Sequence, residues 1–179
     1  MNPLTLTSSY YTAPSGSKLH FLHGGSATDP LLVCLHGLGG STETFLSLVP
    51  FLPRAHRIIL LDFPGFGKSP LANPTKPLSV DSHVADLDHL ITSLQTISGS
   101  PQSAQIIFIG HSLGAIVALH YAAHHPKSVR GLALLGTGRA AGHIPAARQR
   151  MCDLATAVRD NGISVAADIA IKSNFYEDT

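Results

Sequence analysis

The stretch "FIGHSLG" (108–114) decides the fold. Its core, Gly110, His111, Ser112, Leu113 and Gly114, fits G-x-S-x-G, with the apolar run "QIIFI" (105–109) in front and Ala115, Ala118, Leu119 and Ala122 at helical spacing behind. With a strand before it and a helix after it, this pentapeptide makes a sharp, strained turn that lifts a serine hydroxyl off the end of a sheet. Gly110 and Gly114 are needed because a Cβ at either place would collide with the neighbouring strand or helix. The helix N-terminus beside Ser112 also favours negative charge developing nearby. Ser112 is therefore the candidate nucleophile, with a plain helix-capping serine as the alternative.

Working outward, three more apolar runs have the same character: "LLVCL" (31–35), "IILLD" (58–62) and "VRGLALLG" (129–136). Continuous apolar runs bounded by Gly and Pro, with helical patterns between them, are what a parallel sheet covered on both faces produces. Ahead of them "SSYYT" (8–12) and "LHFLH" (19–23) suit an antiparallel pair turned at Pro14 to Gly16. After Ser79 as N-cap, Val80, Val84, Leu87, Ile91 and Leu94 form one apolar helix face, with His83, Asp86 and Asp88 elsewhere. The architecture is α/β. From Gly138 the character changes: "GRAAGHIPAARQR" reads as a linker, a helix through Met151, Leu154 and Val158 ends near Gly162, and a second helical pattern begins at Ile163. The expected domains are a core over 1–137 and a helical segment over 138–179.

Composition bounds the function. With 179 residues and 44% apolar content the chain is long enough for one globular core. Lys plus Arg is 12 against 11 Asp plus Glu, so bulk charge recruits neither nucleic acid nor an anionic membrane. No leader pattern opens the chain and no run approaches the roughly 18 apolar residues of a membrane span, so a cytoplasmic protein is expected. The two cysteines, Cys34 and Cys152, fit neither metal spacing nor a disulfide framework and read as small buried apolar residues. The eleven histidines are scattered without metal-binding spacing, so no metal is expected.

Two further motifs carry chemistry. "HGLGGS" (36–41) follows "LLVCL", and a loop there brings a backbone N–H toward the serine, Leu38 being the best placed residue and Leu113 supplying the second donor. A glycine turn opening a helix at Ser41 is an equally valid reading of the same residues. "DFPGFGKS" (62–69) builds a tight turn on Pro64, Gly65 and Gly67, with Pro70, Pro74 and Pro77 keeping the following segment extended. There Asp62 reads as a structural acceptor, and His36 as a residue that steadies its loop.

The ordered set His36-Gly37-Leu38-Gly39-Gly40, Asp62 to Ser69, and Gly110 to Gly114, each behind a buried strand, resembles the α/β-hydrolase family over about residues 15 to 137. The segment 157–179 resembles the start of the helical cap in 3-oxoadipate enol-lactonase and related lactone and ester hydrolases. The resemblance implies an eight-stranded, mostly parallel sheet with helices on both faces and a cap after the sixth strand. This chain holds the first six strands and the cap's beginning. It also implies a serine hydrolase of small carboxylic esters or lactones with no cofactor, since relatives that act on halides or epoxides carry Asp at the elbow. Arg139, Arg148 and Arg150 would suit a substrate carboxylate or, more simply, a solvated surface.

In that family the catalytic acid follows the next strand and the histidine the last, and neither position falls within these 179 residues. Asp153, Asp160, Asp168 and Asp178 lie in the helical segment, Gly136, Thr137 and Gly138 offer no carboxylate, and neighbouring side chains diverge at the elbow, which takes His111 away from the serine. The expectation is a C-terminally truncated hydrolase, nearly inert by itself, with an apolar sixth-strand edge open to self-association. A non-catalytic binding protein of the same fold shares every motif and stays open. A dinucleotide site fails at its third glycine, which is Thr42, and a P-loop fails at its first, which is Asp62.

Overall fold

The apolar runs form the middle of one six-stranded sheet. In the computed structural model, residues 4–73, 75, 77–98, 105–137 and 144–174 are described. The strands are β1 (Thr7–Thr12), β2 (Lys18–Gly24), β3 (Leu31–Leu35), β4 (Arg57–Leu61), β5 (Ile106–His111) and β6 (Val129–Leu135), in the order β1-β2-β4-β3-β5-β6. The β1 hairpin is antiparallel and β2 adds antiparallel to β4, whereas β4, β3, β5 and β6 run parallel. Every residue of β3 and β4 is buried, which is why their sequences are continuously apolar rather than alternating.

Each face of the sheet has its own core. On one, Leu31, Val33, Leu35, Ile59 and Leu61 pack against α1 (Val80–Ser98) and α2 (Leu113–His124). On the other, Leu32, Cys34, Ile58 and Leu60 pack against Phe45, Val49 and Leu52 from two 3-10 turns. Each such side chain contributes about 1.5–3 kcal/mol on burial, so the two layers dominate stability. Burial pushes the Cys34 thiol up to about 12, leaving it an inert core residue.

The chain divides into two compact units, Met1–Gly138 and Arg139–Thr179. The second unit holds α3 (Pro145–Asn161) and α4 (Ser164–Asn174). Arg139, Gly138, Pro74 and Asp178 lie outside the described residues.

Three sequence readings are corrected. The helix read from Met151 starts at Pro145, because proline is preorganised at a first helical position and Ala146, Ala147, Arg148, Gln149 and Arg150 are good helix formers; only their proximity to glycines suggested a linker. Cys152 is exposed rather than buried, since α3 buries none of its described residues. His83 and Asp86 are buried at 4% and 5% exposure, not turned away from the core. The His83 ring lies 4.8 Å from that of Phe63, and Asp86 accepts a 2.6 Å hydrogen bond from Ser15. His20, within the strand-like run "LHFLH", is buried at 1% exposure. Among the described residues no helix is long and apolar enough to cross a membrane.

Candidate active site

The three motifs follow β3, β4 and β5, which are adjacent and parallel, so all three loops emerge side by side at one end of the sheet. Ser112 sits between β5 and α2 with φ 49° and ψ −111°, and among the described residues it is the one non-glycine with positive φ. A side chain held there stores about 1–3 kcal/mol of strain, which the surrounding contacts must hold in place. The Ser112 N–H donates to Leu135 O at 2.9 Å, and Ser112 O accepts from Ala115 N and Ile116 N as α2 begins.

Space explains the glycines. A Cβ on Gly110 would stand 2.6 Å from Ala115 N, Ala115 Cα and Gly114 O. One on Gly114 would overlap the carbonyl group of Leu35 and approach His36 O at 2.7 Å. One on Gly37 would come within 2.7 Å of His111 Nδ1 and 3.2 Å of Ser112 Cβ. Residue 37 therefore lies directly against the serine, with the loop after β3 closing over the elbow.

Leu38, the next residue, is 64% exposed, and its N–H finds no acceptor among the described residues. As the first residue of α2, Leu113 has an N–H without an intrahelical acceptor. The loop is steadied by His36, which is fully buried: the Phe63 N–H donates to its Nε2 at 3.0 Å, so the ring proton sits on Nδ1 and donates to Gly37 O at 2.7 Å. The rings of Phe63 and Phe66 stand edge-on to it at 5.0 and 5.7 Å.

Asp62 ties the loops together. Its Oδ1 accepts from Thr42 N at 2.6 Å, and its Oδ2 accepts from Lys68 N at 2.9 Å and from His20 Nδ1 at 2.7 Å. Its backbone O accepts from Ser69 Oγ, which in turn accepts from His20 N at 2.7 Å. Gly67, at φ 52°, is required because a Cβ there would strike the Asp62 carboxylate.

His111 reaches Gly37 on one side, and a Cβ on Gly136 would be 3.7 Å from its ring on the other; it makes no hydrogen bond to Ser112. Among the described residues no imidazole or carboxylate hydrogen-bonds to the Ser112 hydroxyl. Arg148 is exposed on α3, as is Arg150. No group of three or more His, Cys, Asp or Glu among the described residues is placed to hold a metal ion.

Burial pushes the His36 imidazole below the ordinary histidine range, opposed by its bond to Gly37 and by Asp62. It does the same to His83, with Asp86 opposing and His36 adding to the effect. For a histidine whose folded pKa is lowered, the unfolded chain binds the proton more readily, so stability is complete above about pH 6.5 and is lost as pH falls below it. Protonation would also take from the Phe63 N–H its acceptor. Thermal melts followed by circular dichroism should show the midpoint dropping between pH 7.5 and 5.5. A flat profile would contradict the neutral state of both rings.

A mostly parallel sheet with helices on its faces, and a strained serine on the turn from a central strand into a helix, defines the α/β-hydrolase class. The family model described as alpha/beta hydrolase fold matches residues 30–159, and the chain belongs to that family. It is similar to a serine hydrolase-like protein of Danio rerio, 35% identical over 69% of this chain and 36% of that protein. It is also similar to a pimeloyl-(acyl-carrier protein) methyl ester esterase of Aromatoleum aromaticum, 34% identical over 60% of this chain and 37% of the esterase. Among solved structures, a hydrolase from Pseudomonas aeruginosa PA01 superposes with a TM-score of 0.77 at 25% identity, covering 95% of this chain and 60% of that one. The chain spans little more than a third of the two curated relatives' lengths.

Proposed function

We propose that the chain carries the nucleophile of a serine hydrolase acting on small carboxylic esters or lactones through an acyl-enzyme. Ser112 Oγ attacks the carbonyl carbon, the N–H groups of Leu38 and Leu113 hold the oxyanion, and water later hydrolyses the acyl group. The observation that carries this reading is the Ser112 backbone, strained at φ 49° and pressed against Gly37. Two donors of this kind contribute about 3 kcal/mol each in the transition state. Serine rather than Asp at the elbow supports esters over epoxides and halides.

One observation favours a second reading, a ligand-binding protein without turnover: the Ser112 hydroxyl has no base in hydrogen-bond contact among the described residues. With no base, only about 10³–10⁴ of rate enhancement over water remains, from the oxyanion hole and binding. Purified chain treated with a fluorophosphonate is expected to form a slow adduct on the Ser112 peptide, with weak hydrolysis of p-nitrophenyl acetate, both lost in Ser112→Ala. Folded protein that gives no Ser112 adduct and no turnover would leave the binding reading standing and end the hydrolase one.

A further inference from the structure

A second serine, far from Ser112 in sequence, has the hydrogen-bond partners that Ser112 lacks. Ser8 Oγ lies 2.9 Å from His20 Nε2, and His20 Nδ1 lies 2.7 Å from Asp62 Oδ2. His20 and Asp62 are each 1% exposed, while Ser8, on the edge strand β1, is exposed. Asp62 accepts at Oδ2, which puts a proton on His20 Nδ1 and leaves Nε2, the atom facing Ser8 Oγ, as the one that takes the hydroxyl proton when the ring acts as a base. Nucleophile, base and orienting carboxylate stand in the order and at the distances by which a serine triad is recognised, on geometry rather than sequence position. The carboxylate cannot swing away, because Thr42 N and Lys68 N also hold it.

We propose that Ser8, with His20 as base and Asp62 as its orienting group, is a second reactive serine that takes an acyl group from activated carboxylic esters. In the step, Ser8 Oγ bonds to the carbonyl carbon and the ester C–O bond breaks with its electron pair. The hydroxyl proton passes to His20 Nε2 and from there to the leaving oxygen. The adjoining surface sets the donor class. Tyr10, on the same face of β1 and roughly 7 Å along it from Ser8, lines a cleft of about 510 Å³ together with Lys18, Lys68 and Leu71. Lys18 Nζ stands 4.6 Å over the Tyr10 ring. The cleft's two lysines, Lys18 and Lys68, favour acyl donors whose carboxylate reaches them from an ester seated at Ser8.

The neighbouring residue provides the control. Ser9 Oγ lies 3.1 Å from His23 Nε2, so it too is a serine on an imidazole, and burial holds His23 below the ordinary histidine range. No carboxylate orients that ring among the described residues. If the triad geometry matters, Ser8 reacts and Ser9 does not.

The experiment uses the full 179-residue chain in a Ser112→Ala background, so that failure at the elbow and failure here are separate results. The probes are a fluorophosphonate, p-nitrophenyl acetate and mono(4-nitrophenyl) adipate, with adducts mapped by mass spectrometry on the peptide that ends at Lys18. An adduct on Ser8 is expected to form about 10²-fold faster than any on Ser9, the low end for a positioned general base. It should vanish in Ser8→Ala and persist in Ser9→Ala, and the adipate half-ester should react severalfold faster than the acetate. Equal modification of Ser8 and Ser9, or none on Ser8 in protein shown to be folded, would overturn the proposal. Equal rates for the two esters would overturn the acidic donor class.

Discussion

Asp62→Ala is expected to cost about 3–5 kcal/mol of stability, a large share of the about 5–15 kcal/mol that a domain holds in total. The carboxylate is buried and has three donors, Thr42 N, Lys68 N and His20 Nδ1. Removing it strands all three, and a buried donor left without a partner costs about 1–3 kcal/mol. The replaced volume also leaves Gly67 with no reason for its tight approach, so the 62–69 turn loses its shape. Asp62→Asn should fall between the two, since one amide oxygen can serve the Thr42 side or the Lys68 and His20 side but not both. Urea denaturation followed by circular dichroism measures the effect; a loss under about 1 kcal/mol would mean that water replaces the carboxylate at little cost.

The reason for that burial explains what was legible in the sequence. The elbow could be read because its signal is local: an apolar strand, a glycine on each side of Ser112, and small residues at the start of α2. The runs at 31–35, 58–62, 105–109 and 129–136 became β3 to β6 within a residue or two for the same kind of reason, continuous burial on both faces. Sheet order is different. That β2 lies against β4, with Phe21 opposite Leu61, depends on a crossover that no short window encodes. This one pairing carries His20 to Asp62, so the burial of the histidine had no readable signal beyond the period-2 alternation of "LHFLH", whereas its place beside Ser8 follows from the β1–β2 hairpin that the sequence suggests. The burial of His83 was hidden for a related reason: α1 packs over a wider arc than its aliphatic stripe, taking in Leu90, His83 and Asp86. The loop after β3 was legible as a glycine motif, but its closeness to Ser112 is a consequence of β3 and β5 being neighbours.

Gly114→Ala tests whether that neighbouring geometry is as tight as the serine's strain requires. The added Cβ would overlap the Leu35 carbonyl group and press on His36 O, both main-chain atoms, so no side chain can rotate to make room. Relief would need α2 to withdraw from the end of β3. That motion would pull Leu113 and Ser112 away from Gly37 and loosen Ala115, Val117 and Ala118, all fully buried. The expected cost is about 3 kcal/mol or more, at or beyond the upper end of ordinary overpacking. The helix preference of alanine over glycine, about 1 kcal/mol in the opposite sense, is too small to offset it. Ala115→Gly on the same helix provides the contrast: it removes a buried methyl and lowers helix propensity but leaves the crossing of α2 over β3 intact, so its loss should stay near 1–2 kcal/mol. Denaturant midpoints for the two variants decide the matter. If Gly114→Ala is as stable as the parent, the first turn of α2 does not pack on the end of β3 as closely as drawn, and the force that holds Ser112 at positive φ must come from elsewhere.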